Sequence, residues 1–416
     1  MTAISVRAGD GLEGEIPVSG AKNSALKLMA ASLLAEGSFA IRNVPRISDV
    51  EVMADLLGAM GPTVIVDGDT VTIDVPAECE PEAPYELVER MRASIAVLGP
   101  LVARCGRARV ALPGGDDFGP RPIDMHLKGL EALGVETHTR HGYVEARAEH
   151  LTGADVVLEY PSVGATENLM MAAVLAKGRT VIDNAAREPE IADLAAFLNR
   201  MGAQVSGAGT STIEIEGVER LEGTEHVVIP DRIEAATYLA ALAVAGGELT
   251  IQGARPDHMD LLIRKLGEMG MRISPDSSGL WAFAPRRLTA VDVATLPYPG
   301  IASDYKPFFM SILAVADGVG IISENVFGAG RFRYVDELRR MGADIRTEAH
   351  HAVVRGIPRL SGAPVRAPDI RAGAALVVAG LGAEGYTTVH DAGHIDRGYE
   401  DLVGRLAAVG ALVERI

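Results

Sequence analysis

The run Leu56-Leu57-Gly58-Ala59-Met60-Gly61-Pro62-Thr63-Val64-Ile65-Val66-Asp67-Gly68-Asp69-Thr70-Val71-Thr72-Ile73-Asp74 decides the fold. Its opening is an apolar helical stripe closed by glycine, which readily takes the left-handed conformation at a helix C-terminus. Two short alternating β runs around an Asp-Gly-Asp turn follow, the pattern of a hairpin. The closing phrase recurs as Gly-Leu-Glu-Ala-Leu-Gly134, Phe-Leu-Asn-Arg-Met-Gly202, Lys-Leu-Gly-Glu-Met-Gly270, Glu-Leu-Arg-Arg-Met-Gly342 and Arg-Leu-Ala-Ala-Val-Gly410. Successive glycines are 73, 68, 68, 72 and 68 residues apart, and the hairpin pattern returns after Gly202 and Gly342. One or two copies would be an ordinary helix ending. Six at this spacing are a repeated α/β unit, too long for the common solenoids. The expectation is an α/β (α+β) protein of six helix/strand units, three per domain.

A chain of 416 residues, 48% hydrophobic and 23% charged, has enough apolar side chain for two sizeable cores. A formal charge of −17 argues against nucleic acid or an anionic membrane as the main partner, so an anionic ligand must be held by local clusters of cations. Cys79 and Cys105 cannot make a disulfide framework and stand in no metal-ligand spacing, and the pair His350-His351 lacks a third ligand. A reduced interior without metal or cofactor is expected. No apolar run reaches eighteen residues and no secretory leader is recognisable, which makes the cytoplasm the expected compartment.

Ser19-Gly-Ala-Lys22-Asn23 leads from a strand pattern into an apolar helix. Such a junction offers backbone N–H groups and the positive end of a helix dipole, and Lys22 adds a mobile charge suited to a phosphate. It is not a nucleotide-binding Walker loop, because the Gly-x-x-x-x-Gly-Lys spacing is absent.

Eight further motifs follow in order. They are Met-Arg92-Ala-Ser-Ile, Leu-Pro-Gly-Gly-Asp116-Asp-Phe-Gly-Pro-Arg121-Pro122-Ile123-Asp124, Ser162-Val163-Gly164-Ala-Thr, Ala-Arg187-Glu188-Pro-Glu190, Pro-Asp231-Arg232-Ile-Glu234, Pro-Tyr-Pro-Gly-Ile-Ala-Ser-Asp304, Asp369-Ile-Arg371-Ala-Gly and His394-Ile-Asp-Arg397-Gly-Tyr. Taken with the first, they resemble the enolpyruvyl transferases over essentially the whole chain. Asn23, where the shikimate-type members pair their lysine with serine, resembles the branch that acts on a uridine nucleotide sugar.

The resemblance implies a two-domain inside-out α/β barrel architecture, with domain 1 at residues 22–229 and domain 2 at residues 1–21 plus 230–416. It also implies halves that close on ligand. The activity implied is transfer of the enolpyruvyl group of phosphoenolpyruvate to a hydroxyl of a uridine nucleotide sugar, with release of phosphate. That reaction needs cations for phosphate and carboxylate, a base for the hydroxyl and an acid for the methylene carbon. By resemblance, Lys22, Arg92, Arg121, Arg371 and Arg397 bind phosphoenolpyruvate, Asp304 is the base, and Lys22 and Arg397 share in catalysis. The nucleotide falls to Asn23, Arg121, Pro122, Ile123, Asp124, Ser162, Val163, Gly164, Asp304, Phe327 and Arg331. Arg187, Glu188, Asp231 and Glu234 read as structural contacts.

Three positions depart from the family pattern. Asp116 stands where many members carry a cysteine that acts as the acid on a mobile loop; its carboxyl must be protonated to do so, and the missing thiolate implies resistance to fosfomycin. Lys306 occupies a position that is usually glutamine, and Phe327-Gly328-Ala329-Gly330-Arg331 is one residue longer than the usual loop. Two other readings stay open. A relative of nucleoside-antibiotic synthesis enolpyruvylates UMP, and comparing acceptors discriminates it. An idle nucleotide-sugar-binding paralogue would bind but release no phosphate.

Overall fold

All six repeat glycines lie in the left-handed region, with φ from 87° at Gly342 to 116° at Gly61. The computed structural model describes residues 3–115, 122–327 and 331–416. Each of these glycines follows an outer helix: Ser48–Ala59, Asp124–Ala132, Pro189–Arg200, Asp260–Glu268, Val335–Arg340 and Leu402–Ala408. The constraint is conformational, since a Cβ on Gly202 or Gly342 would meet nothing within 4 Å. Within one copy of the phrase the two glycines should respond oppositely. Gly270→Ala, at φ 108°, is expected to lower stability by about 1–2 kcal/mol. Gly267→Ala, in open space inside the helix Asp260–Glu268, should raise it by about 0.5–1 kcal/mol. Denaturant unfolding reads both, and shifts of the same sign would dismiss the argument.

Among the described residues, six four-stranded sheets share one plan. In a typical copy, Glu82–Ala83 lies parallel to Arg107–Ala111, which pairs antiparallel with Tyr143–Arg147, and Glu136–Arg140 completes the hairpin. Five copies build the hairpin from adjacent strands. The sixth builds it from the two ends of the chain, Leu412–Arg415 pairing with Ile4–Arg7, which also pairs with Thr387–His390. The parallel strand is exchanged in two sheets. Glu225–Val227 lies beside Gly37–Arg42, and Leu12–Pro17 beside Gly247–Gln252.

The chain accordingly divides into two compact units, one of residues 20–115 and 122–229, the other of residues 3–19 and 230–416. Each has its own apolar core. In the second unit the helices Arg232–Ala245, Lys306–Val315 and Ile370–Gly380 pack on one another and are buried almost end to end. The alanine-rich sequences of Arg232–Ala245 and Ile370–Gly380 permit close approach, and Ser311 Oγ of the helix Lys306–Val315 donates to the Ala375 carbonyl at 2.8 Å. In the first unit the helices Leu98–Cys105 and Val163–Ala173 approach so closely that a Cβ on Gly99 would stand 2.4 Å from the Asn168 carbonyl oxygen.

A buried carboxylate fixes the exchanged strand in each unit. Asp193 accepts from Ser24 Oγ at 2.5 Å, from His226 Nε2 at 2.7 Å and from the Ile229 N–H. Glu234 accepts from the Ser19 N–H, Tyr238 Oη and Arg405 Nη1, each at 2.7 Å. Burial pushes the Glu234 carboxyl up, against the pull of Arg405. Asp231 caps the helix Arg232–Ala245 through the Ile233 and Glu234 N–H groups. No helix among the described residues is long and apolar enough to cross a membrane.

Candidate active site

In the first unit Lys22 opens the helix Lys22–Ala31, is 8% exposed and pairs with Asp49 at 2.7 Å. Half-buried Asn23 follows it. Arg92 begins the short 3-10 segment Arg92–Val97 and is also half-buried. Ile123 precedes the helix Asp124–Ala132, and Pro122 and Asp124 are exposed. Ser162 caps the helix Val163–Ala173, its hydroxyl accepting from the Ala165 N–H at 3.3 Å, so Val163 and Gly164 form the first turn. The first N–H groups of a helix suit an anion. Asp116 and Arg121 lie outside the described residues.

Sequence reasoning missed His126, which faces that turn. A Cβ on Gly164 would be 3.0 Å from His126 Nε2. Burial lowers the imidazole pKa to about 3, helped by the positive charges of Arg92 and Lys27, so the ring is neutral at pH 7. Its tautomer follows from the helix packing. Asn168 Oδ1 accepts from the Gly99 N–H at 2.8 Å, which turns the amide Nδ2 towards His126 Nδ1 at 3.0 Å. The imidazole proton therefore sits on Nε2, beside Gly164. Only its place two residues after Asp124 marked it in the sequence.

In the second unit Asp304 sits in the 3-10 turn Ser303–Tyr305, partly accessible. Arg331, 5% exposed, donates through Nη2 to Asp304 Oδ1 at 2.5 Å and through Nη1 to Ser303 Oγ at 3.1 Å. Burial works to raise the Asp304 pKa, but Arg331, Arg371 and Arg232 overcome it and hold the carboxyl at about 2. Arg232 is a second residue that sequence reasoning did not assign. It is 7% exposed and donates to Tyr305 Oη at 3.3 Å.

Arg371 is 6% exposed near the start of the helix Ile370–Gly380, whose cap Asp369 accepts from its N–H at 2.9 Å. Its guanidinium lies 5.2 Å from the Tyr399 ring centre. Burial opposes its charge, but Tyr399, Asp231 and Asp304 hold its pKa above the ordinary arginine value. The buried Nη1 has no hydrogen-bond partner among the described residues. Arg397 is half-buried at the end of the helix Gly393–Asp396, and Phe327 is 38% exposed with the Arg331 guanidinium 5.0 Å from its ring centre.

An ionised carboxylate ringed by buried guanidinium groups, one nitrogen of which lacks a partner among the described residues, suits an anion and proton removal next to it. Elsewhere the titratable residues are less suited to chemistry. His350 and His351 are exposed, and among the described residues no group of three or more His, Cys, Asp or Glu could hold a metal ion. Cys79 and Cys105 are free, and burial pushes both thiols up.

Residues 6–406 match the family described as EPSP synthase (3-phosphoshikimate 1-carboxyvinyltransferase). The UDP-N-acetylglucosamine 1-carboxyvinyltransferase of Nocardia farcinica is 55% identical over 99% of this chain and 98% of its own. The protein of that name from Myxococcus xanthus is 50% identical over 100% and 99%. Among solved structures, the enolpyruvyl transferase NikO from Streptomyces tendae superposes with a TM-score of 0.90 at 28% identity, covering 100% of this chain and 98% of that one. An EPSP synthase from Acinetobacter baumannii, at 18% identity and a TM-score of 0.75, shares the fold. The chain belongs to the EPSP synthase (3-phosphoshikimate 1-carboxyvinyltransferase) family of enolpyruvyl transferases.

Proposed function

We propose that this protein transfers the enolpyruvyl group of phosphoenolpyruvate to the 3-hydroxyl of UDP-N-acetylglucosamine, releasing phosphate, as the committing step of peptidoglycan synthesis in the cytoplasm. The observation that carries the reading is Arg371 Nη1, buried and unpartnered among the described residues beside an ionised Asp304. The relatives named for this activity support the choice of acceptor. The finer architecture belongs to the same proposal: two inside-out barrels of three units each, residues 22–229 forming one domain and residues 1–21 with 230–416 the other.

The chemistry is an addition followed by an elimination. Asp304 takes the proton of the acceptor hydroxyl as its oxygen bonds to carbon 2 of phosphoenolpyruvate, while an acid protonates carbon 3. Loss of a proton from carbon 3 then expels phosphate and restores the double bond. Asp116 serves as the acid. Lys22, Arg121 and Arg397 hold the phosphate, Arg371 and Arg397 the carboxylate, and Arg92 completes the cationic lining. Each charge-assisted contact contributes roughly 1.5–3 kcal/mol, so a few suffice on a chain of net charge −17. The nucleotide is held by Asn23, Arg121, Pro122, Ile123, Asp124, Ser162, Val163, Gly164, Phe327 and Arg331, with the diphosphate at the Ser162–Gly164 turn beside His126 Nε2.

The test is phosphate release from phosphoenolpyruvate with UDP-N-acetylglucosamine, UMP or no acceptor. Release with the nucleotide sugar alone is expected. Turnover with UMP alone would move the protein to a different acceptor, and binding without release would make it a binder. Fosfomycin should leave activity unchanged, because an activated thiolate is its target and the Cys79 and Cys105 thiols are pushed away from that state. Mass spectrometry showing a stoichiometric adduct with loss of activity would contradict this.

A further inference from the structure

A fully buried ion pair lies behind Asp304. Lys306, at the start of the helix Lys306–Val315, and Glu324 both have wholly inaccessible side chains, with Nζ 3.0 Å from Oε2. Lys306 Nζ also donates to the Arg331 carbonyl at 2.7 Å and stands 4.0 Å from the Phe332 ring centre. Glu324 is saturated with donors. Its Oε1 accepts from Thr295 Oγ1 at 2.9 Å and from the Val326 and Phe327 N–H groups at 2.9 and 3.1 Å, and its Oε2 from Ser303 Oγ at 2.7 Å.

Burying two charges costs desolvation that their attraction alone seldom recovers, so such a pair is weak evidence for stability. Its partners show what it does instead. Ser303 adjoins Asp304 and is itself bonded to Arg331, while the Phe327 N–H and the Arg331 carbonyl are held by Glu324 and Lys306. The pair thus ties Phe327 and Arg331 to the turn carrying Asp304.

We propose that Lys306 and Glu324 act together as a positioning clamp, setting Arg331 and Phe327 in register with Asp304 on the acceptor side of the site. The catalytic consequence rests on the enolpyruvyl-transfer reading; the clamp itself does not. Lys306 reaches no substrate, being inaccessible, and acts through the Arg331 carbonyl. Burial lowers its pKa to about 8 against the pull of Glu324, with Arg331 lowering and Asp369 raising it, so the ammonium remains largely charged at pH 7. Lys306 reaches the Arg331 carbonyl while Glu324 holds the Phe327 N–H, so the two charges together fix both residues.

The experiment compares wild type with Lys306→Arg, Lys306→Gln and the neutral pair Lys306→Gln/Glu324→Gln, by amide hydrogen exchange and by steady-state kinetics. In Lys306→Gln, residues 324–327 and 331–332 should exchange at least about tenfold faster, with the helix Ile370–Gly380 still protected. Displacement of Asp304 and Arg331 should lower kcat at least about tenfold while KM for phosphoenolpyruvate stays within about twofold. Lys306→Arg, which keeps charge and donor, should recover most of kcat; a lysine that merely stabilised the fold would shift the melting temperature and leave kcat alone. Should the single glutamine variant not fold, the neutral pair carries the comparison, since no uncompensated buried charge remains. Unchanged exchange and unchanged kcat in the variants of an active wild type would overturn the clamp. A wild type inactive with every acceptor, whose variants still show local exchange, would overturn the function and leave the clamp standing.

Discussion

Exchange of Asp304 for asparagine should lower kcat for phosphate release about a thousandfold, the range a positioned general base contributes. Asparagine keeps the size and an acceptor for Arg331 Nη2 but has no basicity. The three arginines that surround the site make the wild-type carboxylate a weak base when the protein is free, with a pKa of about 2. Basicity must therefore rise with ligand. On the proposed reading phosphoenolpyruvate neutralises Arg371, so the positive field on Asp304 should weaken and its pKa should rise from about 2. The pH profiles should show this. Loss of Asp304 ionisation should cause no acid limb in kcat/KM above about pH 4, because that parameter reports the free enzyme, whereas kcat should carry an acid limb that is absent from the asparagine variant. A limb in kcat/KM near pH 6, present in the wild type and abolished by the substitution, would sink this account. So would an asparagine variant retaining a tenth of the activity.

What the sequence discloses, and what it hides, divides along physical lines. The six helix endings were legible because a left-handed residue after each outer helix restricts the position to glycine, and Gly202 and Gly342 obey that rule with no neighbour to crowd them. Hairpins show as local alternation, as in Thr63–Asp67 with Thr70–Val75. The exchange of Leu12–Pro17 and Glu225–Val227 between sheets leaves no periodic trace, since parallel pairing between strands so distant in the chain is decided by tertiary contacts such as those of Asp193 and Glu234. Site residues were picked out by resemblance, and chemistry alone would have left Arg371 indistinguishable from a surface cation. His126 owes its neutrality to burial against Arg92 and Lys27, and Lys306 owes its role to a carboxylate eighteen positions away. Neither is written in any local pattern.

The second large effect concerns Arg371. Arg371→Ala is expected to lower kcat/KM for phosphoenolpyruvate by about 10²–10⁴, the loss of two charge-assisted hydrogen bonds of roughly 1.5–3 kcal/mol each. The prediction follows from its Nη1, buried with no partner among the described residues although the rest of the side chain is fixed by Tyr399 and by the helix start that Asp369 caps. A buried donor left unsatisfied is costly, and on the proposed reading a ligand carboxylate completes Arg371. Arg371→Lys restores the charge without the planar fork and should fall between the alanine variant and wild type. Truncation also removes one of the cations acting on Asp304, so its pKa should rise from about 2, an upward shift that carbon-13 NMR of the labelled carboxylates can follow. Nucleotide affinity measured by calorimetry should change far less than phosphoenolpyruvate affinity, because most of the nucleotide contacts proposed, all but Phe327 and Arg331, belong to the other unit. A KM for phosphoenolpyruvate within threefold of wild type would show that Arg371 is ordered for the fold rather than for the ligand, and the unpartnered nitrogen would then be a cost with no catalytic return.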